Sequence, residues 1–292
     1  MLPAWRPVPS FGSTMIIFGI FGIIFLTLGI TLYVMSERIQ GVVQQYDKEC
    51  QSKLDVGGRE ICTINIEIDS DIQSPIYVYY QLDNFYQNHR RYVKSRSNEQ
   101  LMGNELSVDE LEDCDPIKKN KDLGENITTS VDGTPLVDDD PAFPCGLVAK
   151  SFFTDSFKLL DPAGVEVIIS DDNIAWESDK EYKFKNGPGN WRSKQWWDVT
   201  DQHFIVWMRT AGLPNFRKLW GEIKSDLTQG TYSLEITNTY DVSSFAGSKY
   251  FVLSTTNVLG GTNYFLAVCY IIVGALCIMF GIIFFIAYMG RK

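Results

Sequence analysis

Met15 to Met35 reads MIIFGIFGIIFLTLGITLYVM, a run with no charged residue. Crossing a hydrocarbon layer of about 30 Å takes about 20 apolar helical residues, so this stretch suffices. It exceeds the ~7–15 residues of a cleaved signal's apolar region and no A-x-A site follows it, so it reads as a retained anchor. A second run, Tyr264 to Met289 (YFLAVCYIIVGALCIMFGIIFFIAYM), is as apolar and stops at Arg291-Lys292. No Asp, Glu, Lys or Arg lies between Arg6 and Glu37, or between Lys249 and Arg291. All 36 acidic residues therefore fall between the runs with 23 of the 26 basic ones, a formal −13, while both tails are basic. That segregation excludes a soluble globular enzyme. It also leaves no basic stripe with which to neutralise nucleic-acid phosphates.

Basic residues near the ends put both tails in the cytoplasm by the positive-inside rule. The chain then divides into a cytoplasmic tail at 1–12, a membrane helix at 13–36, a lumenal or extracellular ectodomain at 37–261, a second membrane helix at 262–289 and a cytoplasmic tail at 290–292. Cysteine usage points the same way. Cys269 and Cys277 sit within the second span as ordinary small apolar residues. Cys50, Cys62, Cys114 and Cys145 lie in the ectodomain, where they admit three pairings. Local pairs, Cys50 with Cys62 and Cys114 with Cys145, are the expected ones, because each closes a loop rich in Gly, Asp and Pro. Such bridges persist only in an oxidising compartment. Zinc is the rival reading, but there is no CxxC, and His89 and His203 stand far from the cysteines. Asn126-Ile127-Thr128 is the sole N-glycosylation sequon and falls in a polar loop.

Within the ectodomain, Ile64, Ile66 and Ile68 alternate with polar neighbours, as do Tyr232, Leu234 and Ile236; period two argues for half-buried strands. Further β-rich runs are Ile76 to Tyr80, Val165 to Ser170, Phe204 to Met208 and Lys249 to Thr256. Leu82, Phe85, Tyr86, His89, Tyr92 and Val93 instead recur at helical spacing, with Asp83 available as a cap. Between Asn98 and Pro144 the polar, Asp/Gly/Pro-rich composition predicts long loops pinned by the Cys114–Cys145 bridge. The expected fold is thus two transmembrane helices carrying a mainly antiparallel β, sandwich-like, disulfide-bonded ectodomain with short helices.

A search for chemistry finds no GxSxG, no HExxH and no Walker A sequence. Gly187-Pro188-Gly189 reads as a turn. Asp138-Asp139-Asp140 lacks EF-hand spacing and reads as a solvated loop. No cofactor, metal or catalytic residue is expected. Trp176, Trp191, Trp196, Trp197, Trp207 and Trp220 crowd one window, read first as core packing and second as a partner surface with Arg192, Arg209 and Arg217. The spans lack the ionisable groups a transport path needs. They do carry Gly22 with Gly29 and Gly274 with Gly281, each pair two turns apart on one helix face. Those faces are suited to close helix docking, on a partner or on each other.

Several stretches resemble one family nearly end to end. They are Leu2-Pro3-Ala4-Trp5-Arg6-Pro7, Tyr79 to Arg96 (YYQLDNFYQNHRRYVKSR), Pro144-Cys145-Gly146 with the following Ser-Phe-Phe, Phe204 to Lys218 (FIVWMRTAGLPNFRK), and Leu253 to Gly274. The chain is similar to the cell-division-control-protein-fifty family, the accessory β subunits of type-IV P-type ATPases that flip phospholipids. The resemblance implies two spans, cytoplasmic termini, two local disulfides and a glycosylated β-rich ectodomain. It further implies a non-catalytic subunit in a one-to-one heterodimer with a catalytic α subunit, among membrane lipids. Such a subunit is needed for the pump's folding, exit from the endoplasmic reticulum and activity; the Golgi, endosome or plasma membrane would be its destination. Consistently, the chain lacks the DKTGT phosphorylation sequence of the pumps. It departs from the family in a short N-terminal tail, a shortened region between Asn186 and His203, and a single sequon.

The expected partner contacts are Ala4, Trp5, Arg6 and Pro7 in the tail, Gly22, Gly29, Gly274 and Gly281 in the spans, and Arg209, Phe216 and Arg217 in the matched ectodomain stretch. Expected modifications are the four ectodomain cysteines and a glycan on Asn126. Two competing classes are a two-span trimeric ion channel subunit and a free-standing receptor or adhesion protein. The apolar spans and only four ectodomain cysteines argue against the channel.

Overall fold

The computed structural model describes residues 10–50, 61–257 and 260–290. In chain order these form α1 (Phe11–Glu37), β1 (Gly41–Gln45), β2 (Ile61–Ile68), β3 (Ile76–Asp83), α2 (Arg90–Lys94), α3 (Asn98–Leu101), α4 (Leu147–Lys150), β4 (Ser156–Leu160), β5 (Glu166–Val167), α5 (Glu177–Tyr182), α6 (Gln202–Met208), β6 (Phe216–Ile223), β7 (Gly230–Thr237), β8 (Ser248–Ser254) and α7 (Tyr264–Met289). Two compact units result. One holds the two long helices, residues 1–40 and 255–292, and the other is the ectodomain, residues 41–254.

In the helical unit, α1 begins earlier than the apolar run, because Ser10 and Ser13 close a reciprocal capping box: the Ser10 hydroxyl accepts from the Ser13 N–H and the Ser13 hydroxyl from the Ser10 N–H. Both helices are long and apolar enough to cross a membrane.

The ectodomain is built on two four-stranded antiparallel sheets, ordered β1-β8-β3-β6 and β2-β7-β4-β5. β2 alternates strictly, with Cys62, Ile64, Ile66 and Ile68 buried between exposed neighbours. Those isoleucines share one core with Ile76 and Val78 of β3, Leu159 of β4, Ile223 of β6, Leu234 and Ile236 of β7, and Phe251 and Leu253 of β8. Both sheets thus contribute their inner faces to one layer, the signature of a sandwich. A second core gathers around Phe153, Phe204, Ile205 and Trp207, where the segment between β3 and β6 folds over Tyr80 and Leu82.

Two expectations fail. Phe204 to Met208 is not a strand but most of α6. A continuous apolar run has no periodicity to separate strand from buried helix, and the Asp201 side chain decides, accepting from the His203 N–H at 2.9 Å as an N-cap. Phe204, Ile205, Trp207 and Met208 then all face inward. The helical reading of Leu82 to Val93 fails in the other direction. Leu82 is an inward residue of β3, and Asp83 ends that strand with its carboxylate accepting from Gln81 Nε2, not capping a helix. Asn84, at φ 62°, then turns the chain, and only Arg90–Lys94 is helical. Of the run Val165 to Ser170, β5 keeps two residues, and Ser170 makes a lone bridge to Glu222.

Candidate partner interface

In the helical unit Gly22 meets Gly274, and Gly29 meets the backbone of Ile271. A Cβ on Gly22 would lie 3.2 Å from the Gly274 carbonyl oxygen and 2.6 Å from Ile278 Cγ1. One on Gly29 would lie 2.8 Å from the Ile271 nitrogen, and one on Gly274 2.8 Å from the Leu26 nitrogen. Backbone therefore touches backbone along this seam, which is what small residues permit between membrane helices. Gly281 is looser, with nothing nearer than 3.9 Å. Of the two roles open for these four glycines, packing within the chain is the one observed; the seam occupies the face assigned to a partner helix. Stacked rings flank it, Phe18 on Phe284 at 5.9 Å and Phe25 on Tyr270 at 5.8 Å. At one end the Asn263 N–H donates to Ser36 Oγ and Asn257 Nδ2 to the Met35 carbonyl, each at 2.9 Å. Thr27 and Thr31 donate to the Ile23 and Thr27 carbonyls of their own helix, so neither hydroxyl is spare. What the two helices present outward is apolar: Ile16, Ile20, Ile23 and Ile30 on α1, and Phe265, Ile272, Ile282 and Ile286 on α7, are each more than half exposed. Ala4, Trp5, Arg6 and Pro7 lie outside the described residues.

In the ectodomain, Cys50 is joined to Cys62 and Cys114 to Cys145. The second bridge is buried and held from several sides. The Cys145 N–H donates to Gln100 Oε1 at 2.8 Å, the Ser95 hydroxyl donates to the Asp115 carbonyl at 2.9 Å, and Trp196 Nε1 donates to the Pro144 carbonyl at 2.7 Å. Gly146 sits at φ 93°, and a Cβ there would fall on the Ser95 carbonyl group, so any side chain would collide with it. Asn126 is exposed in a turn.

The tryptophan window resolves into core and surface. Trp207 and Trp196 are buried, and Trp207 Nε1 donates to the Val148 carbonyl at 2.7 Å. Phe216, expected at a partner surface, is 8% exposed and packs against Phe85 and Trp207. It shares strand parity with the buried Lys218, so it faces the core and is no contact residue in this fold. Arg217 takes the opposite face, exposed, with Nε donating to Gln81 Oε1 at 2.8 Å. Arg209 also reaches the surface. Its guanidinium lies 3.7 Å over the exposed Trp176 ring, and Nε donates to Asp179 Oδ2 at 2.5 Å.

Sequence reasoning missed two buried lysines. Lys249 Nζ, 2% exposed, donates to Asp155 Oδ2 at 2.7 Å, to the Tyr240 carbonyl at 2.5 Å and to Asn238 Oδ1. Asp155, fully buried, also accepts from the Tyr46 hydroxyl at 2.7 Å and from the Thr239 and Tyr240 N–H groups. Burial first, then the Asp155 charge, pushes the Tyr46 phenol well above its ordinary value, so it stays a donor. Asn238 Nδ2 completes the clasp at the Cys50 carbonyl, 3.3 Å away. Lys218 closes the end of α6, donating to the Val206, Trp207 and Arg209 carbonyls. Burial, with the nearby Arg209 charge adding to it, pushes its amine from 10.5 down to about 7. Strand parity was the available signal for both: Lys249 alternates with Phe251 and Leu253, and Lys218 with Phe216.

His203 Nε2 lies 2.8 Å from the Trp220 carbonyl and its ring stacks on Trp220 at 4.0 Å, a packing role. Among the described residues no group of three or more His, Cys, Asp or Glu is arranged to hold a metal ion. The arrangement is that of a braced scaffold with apolar faces on its two long helices and a few solvent-facing arginines.

The sequence model of the LEM3 (ligand-effect modulator 3) family / CDC50 family matches residues 32–292. The chain is 38% identical to "ALA-interacting subunit 3" of Arabidopsis thaliana, covering 99% of this chain and 84% of that one. It is 34% identical to "Cell cycle control protein 50A" of Mus musculus, covering 97% and 85%. It is 30% identical to "Phospholipid-transporting ATPase accessory subunit CRF1" of Saccharomyces cerevisiae, covering 98% and 82%.

Proposed function

This chain belongs to the LEM3/CDC50 family, and from that membership we infer that it is the non-catalytic accessory subunit of a type-IV P-type ATPase phospholipid flippase. It is an integral membrane protein, and its partner is the catalytic ATPase subunit. The single observation that carries this reading is likeness along nearly the whole chain to a yeast protein named as a phospholipid-transporting ATPase accessory subunit.

The finer assignments are proposals. Both termini face the cytoplasm and the ectodomain faces the lumen or cell exterior, supported by the disulfides, the exposed sequon asparagine and the charge pattern. The outward apolar faces of α1 and α7 pack beside the ATPase's membrane helices, and the ectodomain covers its short exoplasmic loops. A subunit changes a pump's conformational balance only by binding one state better than another, so its role in folding, export and activity rests on that preference. Asn126 carries a glycan. Ala4, Trp5, Arg6 and Pro7 form a cytoplasmic contact, and Arg217 an ectodomain one.

The test is purification in mild detergent. A P-type ATPase recovered at one-to-one, with lipid-stimulated ATP hydrolysis, is the expected result. Trp5→Ala or Arg6→Ala lowers both recovery and hydrolysis. A homotrimer that conducts ions without an ATPase would overturn the assignment.

A further inference from the structure

Beside the end of α6 the ectodomain opens a cleft of about 620 Å³ whose wall carries Arg96, Lys183, Arg209 and Asp179. Its size is that of a small-ligand site. Asp179 is 1% exposed, and each oxygen has a cation: Arg209 Nε at 2.5 Å from Oδ2 and Lys183 Nζ at 2.7 Å from Oδ1. Burial works to raise this carboxyl's pKa, but the hydrogen bond from Arg209 and the ion pair with Lys183 outweigh it and hold the group below the usual range. Asp179 is therefore ionised at neutral pH and orients both cations.

Three positive groups against one negative leave two charges uncompensated on the wall, in an ectodomain that is acidic as a whole. The donors are spare as well. Among the described residues, the Arg209 Nη groups meet no acceptor, and Arg96 spends only Nη1, on the Met208 carbonyl at 2.9 Å. The Arg209 plane is also fixed by the Trp176 ring beneath it, so a guanidinium fork is presented with little further ordering. A fork beside an ammonium, with an excess of two charges, matches a tetrahedral dianion better than a planar monoanion. Met102, 42% exposed, and Phe184 add an apolar wall.

We propose that this cleft binds a phosphate monoester dianion, held by Lys183, Arg209 and Arg96, with the ester's organic part against Met102 and Phe184. The shared chemistry could be offered by a soluble phosphoester or by a lipid with a terminal phosphate. The proposal stands apart from the ATPase partnership.

The experiment is calorimetric titration of the full-length chain in nanodiscs of zwitterionic lipid, at fixed ionic strength. Glycerol 3-phosphate is the soluble probe and dihexanoyl phosphatidic acid the lipid one. One saturable site is expected, with Lys183→Gln and Arg209→Lys each weakening it by about tenfold, the loss of one charge-assisted hydrogen bond. The Lys183 side chain is 62% exposed, so that variant keeps its fold, which near-ultraviolet circular dichroism checks. Equal affinity for both probes identifies a soluble phosphoester; markedly tighter binding of the lipid identifies a headgroup. Absence of saturable binding of either probe up to about 10 mM overturns the proposal. So does binding that both substitutions leave unchanged, or binding of an acidic peptide in place of phosphate.

Discussion

The two units of this chain are held together by opposite means. Along the seam of the helical unit the close contacts are between backbones or apolar side chains, with polar bonds from Asn257 and Asn263 at one end, and the glycines at 22, 29 and 274 are there because nothing larger fits. Lipid tails are as apolar as leucine, so burying hydrocarbon there gains little, and close approach is what remains. The ectodomain, surrounded by water, gains from every buried isoleucine of its sandwich. It can therefore tolerate inside itself what a membrane span cannot: two lysines, three aspartates and a web of hydrogen bonds. The lesson concerns removal. In the membrane seam adding volume does the damage, whereas in the ectodomain deleting one polar partner does.

The largest expected effect tests the second half of that contrast. Asp155→Leu leaves the Lys249 ammonium buried without its countercharge and costs about 3–5 kcal/mol, measured as a shift in the urea midpoint of ectodomain unfolding. A cost below that of an ordinary surface change would mean Lys249 escapes to water and the clasp is incidental. Next comes the buried bridge: Cys114→Ser frees a loop otherwise fastened at Gln100 and Trp196 and costs about 2–5 kcal/mol. Peptide mapping without reduction is the companion measurement, and a Cys50–Cys145 link would refute the pairing seen here.

Gly29→Leu sharpens the first half. The new side chain meets the Ile271 backbone, forcing the helices apart at about 1–3 kcal/mol, read by energy transfer between labels on α1 and α7 in bilayers. Unaltered helix separation would show that the seam does not depend on close approach. Last is a pH effect. With its folded pKa near 7 and an unfolded one near 10.5, Lys218 binds more protons unfolded than folded across that window. Stability therefore rises as pH climbs from 7 toward 10, by at most about 1.4 kcal/mol per unit, and the penalty is complete below 7. Lys218→Met should flatten that part of the stability profile; a slope that persists would assign it to another group.

Legibility followed the physics of each region. The spans were readable because about 20 uncharged residues in succession have few other uses, and their glycine spacing marked the face that packs. The paired isoleucine strands were readable because a half-buried strand alternates. Phe204 to Met208 was misread because it is buried on nearly all sides and so has no polar face to betray its period. Leu82 to Val93 was misread because a strand end, a turn and one helical turn happened to sum to helical spacing. Phe216 was placed at a partner surface by its neighbourhood in a matched stretch, though its parity with Lys218 put it inside.

The sequence alone determined the two membrane helices, the aqueous domain between them and the family to which the chain belongs, since hydrophobic length and long matched motifs are properties of residues in order. Only the tertiary structure decided which partner each buried charge takes, that Gly22 faces Gly274, and that Lys183 and Arg209 converge on Asp179 beside Arg96. Those depend on residues up to 252 positions apart, Gly22 and Gly274, meeting within a few ångströms, and no local pattern records a meeting between distant segments.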